Sequence, residues 1–319
     1  MLTTRTLLRW PTVLSILALL TSAAMAQLTA PPGDVRISDQ KAGSILVFPY
    51  YTSDGATADT SIVISHAGGT GNVNIHLFFV DGSNCGIADA GLTLTPHATL
   101  EFPVSAFDPM ITGYLIAVAV DDAGCPVNQN VLIGHAFVKT PPNYIAGGAG
   151  QVRGDYGAEA IRAISPTPVN CNDGIIRFDN VAYEAVPNAF VAQIQSPVTV
   201  VGQTIVLASL QGGAGGIMDP IGQFGVGYIF DPNERPFSFS GFLRSGCHSI
   251  TTLTTNSPRV NFGMSNVLKA GQTGLIKFVT RVGGVGLIFT PDNATGFMGI
   301  RTLHKYATTT TTTLTVPIF

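Results

Sequence analysis

Apolar and polar residues alternate along much of this chain with a period of two, the spacing of a strand that buries one face and exposes the other. Val73, Ile75, Leu77 and Phe79 make one such face, with Asn74, His76 and Phe78 opposite, and a β-branched run at residues 61–65 precedes them. Between the two lies His66-Ala67-Gly68-Gly69-Thr70-Gly71, whose glycines accept the positive φ of a tight reversal, so the pair reads as a hairpin. Residues 93–104, interrupted by Pro96, then 114–120 and 131–138 are the next strands predicted. The second half continues with 175–178, 190–194, 204–210, 226–230, 237–243, 273–279, 285–289 and 297–303, separated by turn formers such as Asp231-Pro232-Asn233 and Pro291-Asp292-Asn293. Many short strands at this spacing predict an all-β fold of sandwich type.

One stretch departs from the pattern. Asp155-Tyr156-Gly157-Ala158-Glu159-Ala160-Ile161-Arg162-Ala163-Ile164 has helix-forming composition, and the prolines of Ser165-Pro166-Thr167-Pro168 block helical continuation. It predicts a short helix ending in a linker between two β-sandwich-like domains, residues 27–166 and 167–319. The end of the chain, Thr308 to Thr313 followed by Leu314-Thr315-Val316-Pro317-Ile318-Phe319, is uncharged with high β-propensity and reads as a final strand or a frayed end. Its apolar residues fall on the wrong alternation for an outer-membrane barrel.

The first residues change the picture from a β-protein to an exported one. Arg5 and Arg9 precede an apolar run over residues 13–24 and an Ala24-Met25-Ala26 cleavage site, which together read as a signal peptide over residues 1–26. That run is too short to span a bilayer comfortably and no longer one follows, so no integral membrane span is expected. Charged residues make up only 11% of the chain, which leaves few salt-bridged helix faces, and a formal net charge of -3 gives no electrostatic footprint for nucleic acid.

Four cysteines, Cys85, Cys125, Cys171 and Cys247, are an even number in an exported chain and favour two disulfides. Three connectivities exist. Counting strands places the loops of Cys85 and Cys125 at the same end of a sandwich, which predicts Cys85–Cys125 and, by elimination, Cys171–Cys247. No zinc spacing occurs among them.

Ser38-Asp39-Gln40-Lys41-Ala42-Gly43-Ser44, Val47-Phe48-Pro49-Tyr50-Tyr51-Thr52-Ser53, His76-Leu77-Phe78-Phe79-Val80-Asp81-Gly82, Thr112-Gly113-Tyr114-Leu115-Ile116, Leu132-Ile133-Gly134 and Gly157-Ala158-Glu159-Ala160 together resemble a family of exported, β-rich bacterial proteins with no assigned function. The resemblance covers mainly the first half and implies export, without an activity, ligand or catalytic residue. Where the family carries an acidic residue after Leu-Ile-Gly, this chain has His135, which puts an acidic site there in doubt.

Candidate chemistry is sparse. No nucleophile elbow, zinc helix, P-loop or dinucleotide fingerprint occurs, and His66, His76, His97, His135, His248 and His304 show no ligand spacing, so no cofactor, metal or catalytic set is expected. Cys247-His248-Ser249 places a thiol, a base and a hydroxyl in sequence, but adjacent strand residues point to opposite faces. The densest polar cluster is Arg153, Asp155, Tyr156, Glu159 and Arg162; on a helix Glu159 and Arg162 face each other. The plain reading is a solvated ion pair, and the functional one a sugar or carboxylate clamp with Tyr156 as a stacking face. Asn293-Ala294-Thr295 has the form of a glycosylation acceptor.

Two functions fit these features. The first is a secreted or cell-envelope, non-enzymatic structural or adhesive protein that pairs with itself or another envelope protein by strand addition, the tail serving as a donor. The second is a carbohydrate-binding or carbohydrate-active module, by analogy with other sandwiches.

Overall fold

Strand-forming sequence dominates the described residues, which in this computed structural model are 36–53, 57–140, 153–221, 226–292, 294–307 and 311–318. The expected signal peptide and Asn293 lie outside them. In chain order the strands are β1 (Ile45–Thr52), β2 (Asp59–His66), β3 (Val73–Asp81), β4 (Ile87–Leu94), β5 (Thr99–Pro103), β6 (Thr112–Val120) and β7 (Leu132–Lys139). There follow β8 (Arg153–Gly157), β9 (Glu159–Ile161), β10 (Ile175–Phe178), β11 (Ala189–Gln195), β12 (Thr204–Ser209), β13 (Gly212–Gly213) and β14 (Val226–Phe230). The last are β15 (Pro236–Ser240), β16 (His248–Thr252), β17 (Thr273–Val279), β18 (Gly284–Asp292), β19 (Phe297–Thr302), β20 (His304–Ala307) and β21 (Thr312–Thr315).

They form four sheets: A, in the order β4-β3-β6-β1-β9; B, in the order β16-β12-β18-β19-β8-β7-β2-β5; C, β10-β21-β13; and D, β15-β14-β17-β11-β20. Three apolar cores lie between them. Leu46, Phe48, Leu77, Phe79 and Leu115 of sheet A meet Ile62, Ile64, Ala136, Leu287 and Phe289 of sheet B. The other face of sheet A, through Val47, Phe78, Val80 and Ile116, meets Ile176, Phe178, Leu314 and Val316 on and beside sheet C. Sheet D, through Phe190, Ile194, Ile276 and Phe278, packs on Ile205, Leu207 and Ile288 of sheet B. Sheet A is therefore covered on both faces, which is why every residue of β1 is buried and why Phe78, on the face expected to be polar, is buried too. Close packing leaves no room for a side chain at Gly113 of β6, where a Cβ would lie 1.9 Å from the Val80 carbonyl oxygen.

The all-β, sandwich-like expectation agrees with this architecture, but the two sandwiches, A on B and B on D, share a sheet. Sheet B takes β2, β5, β7 and β8 from before residue 166 and β12, β16, β18 and β19 from after it, so residues 34–319 form one compact unit and 166/167 is no boundary. The expected helix over residues 155–164 is also absent. That segment is β8 and β9, because Tyr156, Ala158, Ala160 and Ile161 supply a buried set that tertiary packing uses at strand spacing, overriding helix propensity.

The disulfides are Cys85–Cys247 and Cys125–Cys171, neither of them the expected pair. The reason is sheet order. β3 and β6 are antiparallel neighbours, with Asp81 beside Gly113 and Asn74 beside Val120, so Cys85, after β3, and Cys125, after β6, sit at opposite ends of sheet A. Of the two readings of the tail, the final strand is the one the described residues show: β21 lies between β10 and β13 with Thr312, Leu314 and Val316 buried. Its outer-edge hydrogen bonds are already used within the chain, which removes it as a donor strand for a neighbour.

His248 heads β16 at the contact between sheets A and B. Its Nε2 donates to the Pro49 carbonyl at 3.0 Å, and its ring lies against Tyr50 and Tyr114. Burial pushes the imidazole down to about 4 from 6.5. The unfolded chain therefore takes up a proton near pH 6.5 that the folded one refuses until about pH 4. The neutral ring's stability is complete above pH 6.5 and is lost as pH falls toward 4, a loss of about 3 kcal/mol. Urea unfolding at pH 7, 5.5 and 4 should show that decline, and His248→Gln should flatten it; an unchanged decline in the variant would assign it to other groups.

Candidate functional site

Sheet D covers the outward side of β12 and β18 only, and the outward side of β8, β7, β2 and β5 carries exposed or half-exposed side chains along each strand. The period-two pleat decides which. In β7, Leu132, Ala136 and Val138 turn into the core, so Ile133, His135, Phe137 and Lys139 turn out. Strand register then sets rows across the face. Pro103, Ser61, Phe137 and Asp155 form one row, Glu101, Val63, His135 and Gly157 the next, and Asp59, Lys139 and Arg153 a third.

One end of the face is a depression of about 480 Å³ lined by Asp59, Ser61, Pro103, Phe137, Arg153 and Asp155. Phe137 is 50% exposed, an apolar ring between Ser61 and Asp155 in its row. The His135 Nε2 lies 3.2 Å from an Asp155 carboxylate oxygen, with its ring 4.8 Å from that of Phe137. The Ser61 hydroxyl donates to Glu101 at 2.7 Å, and the Ser105 hydroxyl and backbone N–H both donate to Asp59. Chemically, the depression offers two exposed apolar rings, Phe137 and Phe297, beside donors and acceptors of both signs.

Of the four residues predicted to form a binding site, the structure brings two together here, Arg153 and Asp155, both exposed. Tyr156 points the other way, into the core between sheets A and B. Its hydroxyl donates to the Tyr50 carbonyl, and burial raises its pKa, so it offers no stacking face. Glu159 is fully buried in β9 at the edge of sheet A, where its carboxylate lies 2.6 Å from the Lys305 ammonium. Burial raises the pKa of this carboxyl, and Lys305 opposes the rise. Lys305 also donates to the Ile37 carbonyl at 3.2 Å. A parallel arrangement lies close by, with Lys41 paired to Glu184 and donating to the Arg36 carbonyl. The predicted Glu159–Arg162 pair is replaced by this set: the Arg162 side chain is exposed and its backbone N–H donates to Glu184. The cluster that was compact in sequence is thus divided between an outer face, a core and a strap clamp, as alternating strand residues must be.

Phe137, Lys139 and Asp59 were not singled out from sequence, and His135 only as a departure from the acidic residue that the resembled family carries after Leu-Ile-Gly. The legible signal for Phe137 was the alternation in β7, where Ile133 and Phe137 occupy positions that a half-buried strand gives to polar residues. Comparison with known proteins yields no match to this chain among family models, curated proteins or solved structures.

Proposed function

We propose that this chain is an exported, non-enzymatic structural protein that associates with further copies or with a surface through uncovered β-sheet. The observation that carries this reading is the outer face of sheet D. Val226, Tyr228, Leu275, Val279 and Tyr306, between 38% and 54% exposed, lie on strands whose register sets Val226 beside Val279 and Phe230 beside Leu275. Tyr228 is beside Lys277, whose ammonium lies 3.5 Å from the centre of the Tyr306 ring. A contiguous apolar patch on a sheet face is the usual mark of an interaction surface. Two disulfides agree with an oxidising compartment, and no helix among the described residues is long and apolar enough to cross a membrane.

Light scattering across a dilution series is expected to show concentration-dependent association, and Val226→Ser with Val279→Ser to weaken adsorption to hydrophobic surfaces. A protein that stays monomeric at high concentration and adsorbs to nothing would end this reading.

A second reading is favoured by Phe137. A sugar ring can lie on an exposed aromatic face while Arg153, Asp155 and Lys139 bond its hydroxyls. Phe137→Ala is then expected to abolish binding on a glycan array with no change in melting temperature; an array blank with the unaltered protein removes this alternative.

A further inference from the structure

Sheet edges invite further strands unless something blocks them. Among the described residues, most edges of this protein are blocked or short. β9 is covered by Ser38, which exchanges backbone hydrogen bonds with Ala160 at 2.9 and 3.3 Å. β10 is bridged at Phe178 by Tyr183, and β13 at Gly212 by Met218. β5 ends in Pro103 and β15 begins with Pro236, residues without an N–H to offer. β16 spans 5 residues and β20 spans 4, against 8 for β4.

β4, Ile87-Ala88-Asp89-Ala90-Gly91-Leu92-Thr93-Leu94, has no proline, no register shift against β3 and one charge. The Asp81 N–H donates to the Gly86 carbonyl at 2.9 Å, which sets the phase of the β3–β4 ladder. In an antiparallel ladder, mutually bonded pairs recur at every second residue. Ala88, Ala90, Leu92 and Leu94 therefore bond inward to β3, and Ile87, Asp89, Gly91 and Thr93 turn their N–H and C=O groups to the free edge.

We propose that this edge pairs with the same edge of a second copy, antiparallel about a two-fold axis at Ala90, giving one sheet continuous through both molecules. The inference rests on the self-associating reading above and adds to the face of sheet D a second contact, on the edge of sheet A. Strand length and charge select the register, since a pairing centred on Gly91 would set Ile87 against a position beyond Leu94, the end of β4. Centred on Ala90, Ile87 faces the partner's Thr93 and Asp89 faces the partner's Gly91, so every outward backbone group is paired. Centred on Asp89, the two carboxylates would meet across the axis, and like charges directly opposite are destabilising. Gly91 suits the arrangement because the space where its Cβ would stand is empty, leaving room for the facing carboxylate, and its neighbour across β3 is His76, already 2.9 Å from the Asp89 of its own chain. The axis residue, Ala90, is small and uncharged, and Ala88 and Leu92, on the same face to either side of it, carry no charge.

Sedimentation equilibrium on the full exported chain tests this with two substitutions at one open position. Gly91→Glu sets a second carboxylate against the partner's Asp89 and is expected to weaken the dimer by roughly tenfold. Gly91→Lys sets an ammonium there and is expected to tighten it by roughly threefold or more. Melting curves of both variants, matching the unaltered chain, establish that the monomer is intact. If the unaltered protein associates and neither substitution matters, or both weaken it equally, pairing at β4 is wrong while self-association stands. If it remains monomeric at every concentration, the underlying reading fails and the edge with it.

Discussion

Replacing Cys85 and Cys247 together by alanine is expected to lower the stability of the folded chain by about 5 kcal/mol, the largest single effect that its covalent structure predicts. The bridge joins residues separated by 162 positions, and the conformational entropy removed from an unfolded chain grows with the logarithm of the loop closed. It also ties the turn after β3 in sheet A to the head of β16 in sheet B, so its loss frees the two layers at that corner. The same argument assigns about 4 kcal/mol to Cys125–Cys171, whose separation is 46. Urea midpoints of the two double variants should fall in that order; a loss under about 1 kcal/mol for the long bridge would show that the unfolded chain is held compact by other means.

Lys305→Met is expected to cost about 3 to 5 kcal/mol, because it leaves the carboxylate of Glu159 buried without its counter-charge. Glu159 is fully buried, and the Lys305 side chain is 15% exposed, so solvent can compensate little of the loss. Lys41 lies near enough to offer a small attraction and Asp39 a small repulsion. Pairing the change with Glu159→Gln should restore most of the stability, since a neutral amide carries a far smaller desolvation cost. The double-mutant cycle separates a strong pair from a merely tolerated one. Equal destabilisation by the single and double variants would mean that the bond from Lys305 to the Ile37 carbonyl, and not the charge of Glu159, carries the loss.

The strands themselves were largely legible, because alternation reports a buried face directly. Val73, Ile75, Leu77 and Phe79 do share one core. What alternation cannot report is which sheet covers the remaining face. Nothing in the run from Val73 to Val80 reveals that Phe78 belongs to the core between sheets A and C. The disulfides failed for the same reason: pairing depends on which strands become neighbours, and β6 lies beside both β1 and β3, an order that short-range signals do not encode. The misplaced helix is a case of local composition against tertiary burial, since Ala158, Ala160 and Ile161 are compatible with either periodicity. The candidate site was half legible. Arg153 and Asp155 stand where exposed charge is useful, but their partners Phe137 and Lys139 come from a different strand, joined to them only through register.

The position of β21 bears on how such a chain comes together in time. Residues 312–316 fill the middle of the three-stranded layer and supply Leu314 and Val316 to the core beneath it. A polypeptide made amino end first must hold that apolar floor open until those late residues arrive. Closure of that layer is then paced by the far end of the chain, and a chain stopped before residue 312 leaves the apolar side chains beneath it uncovered.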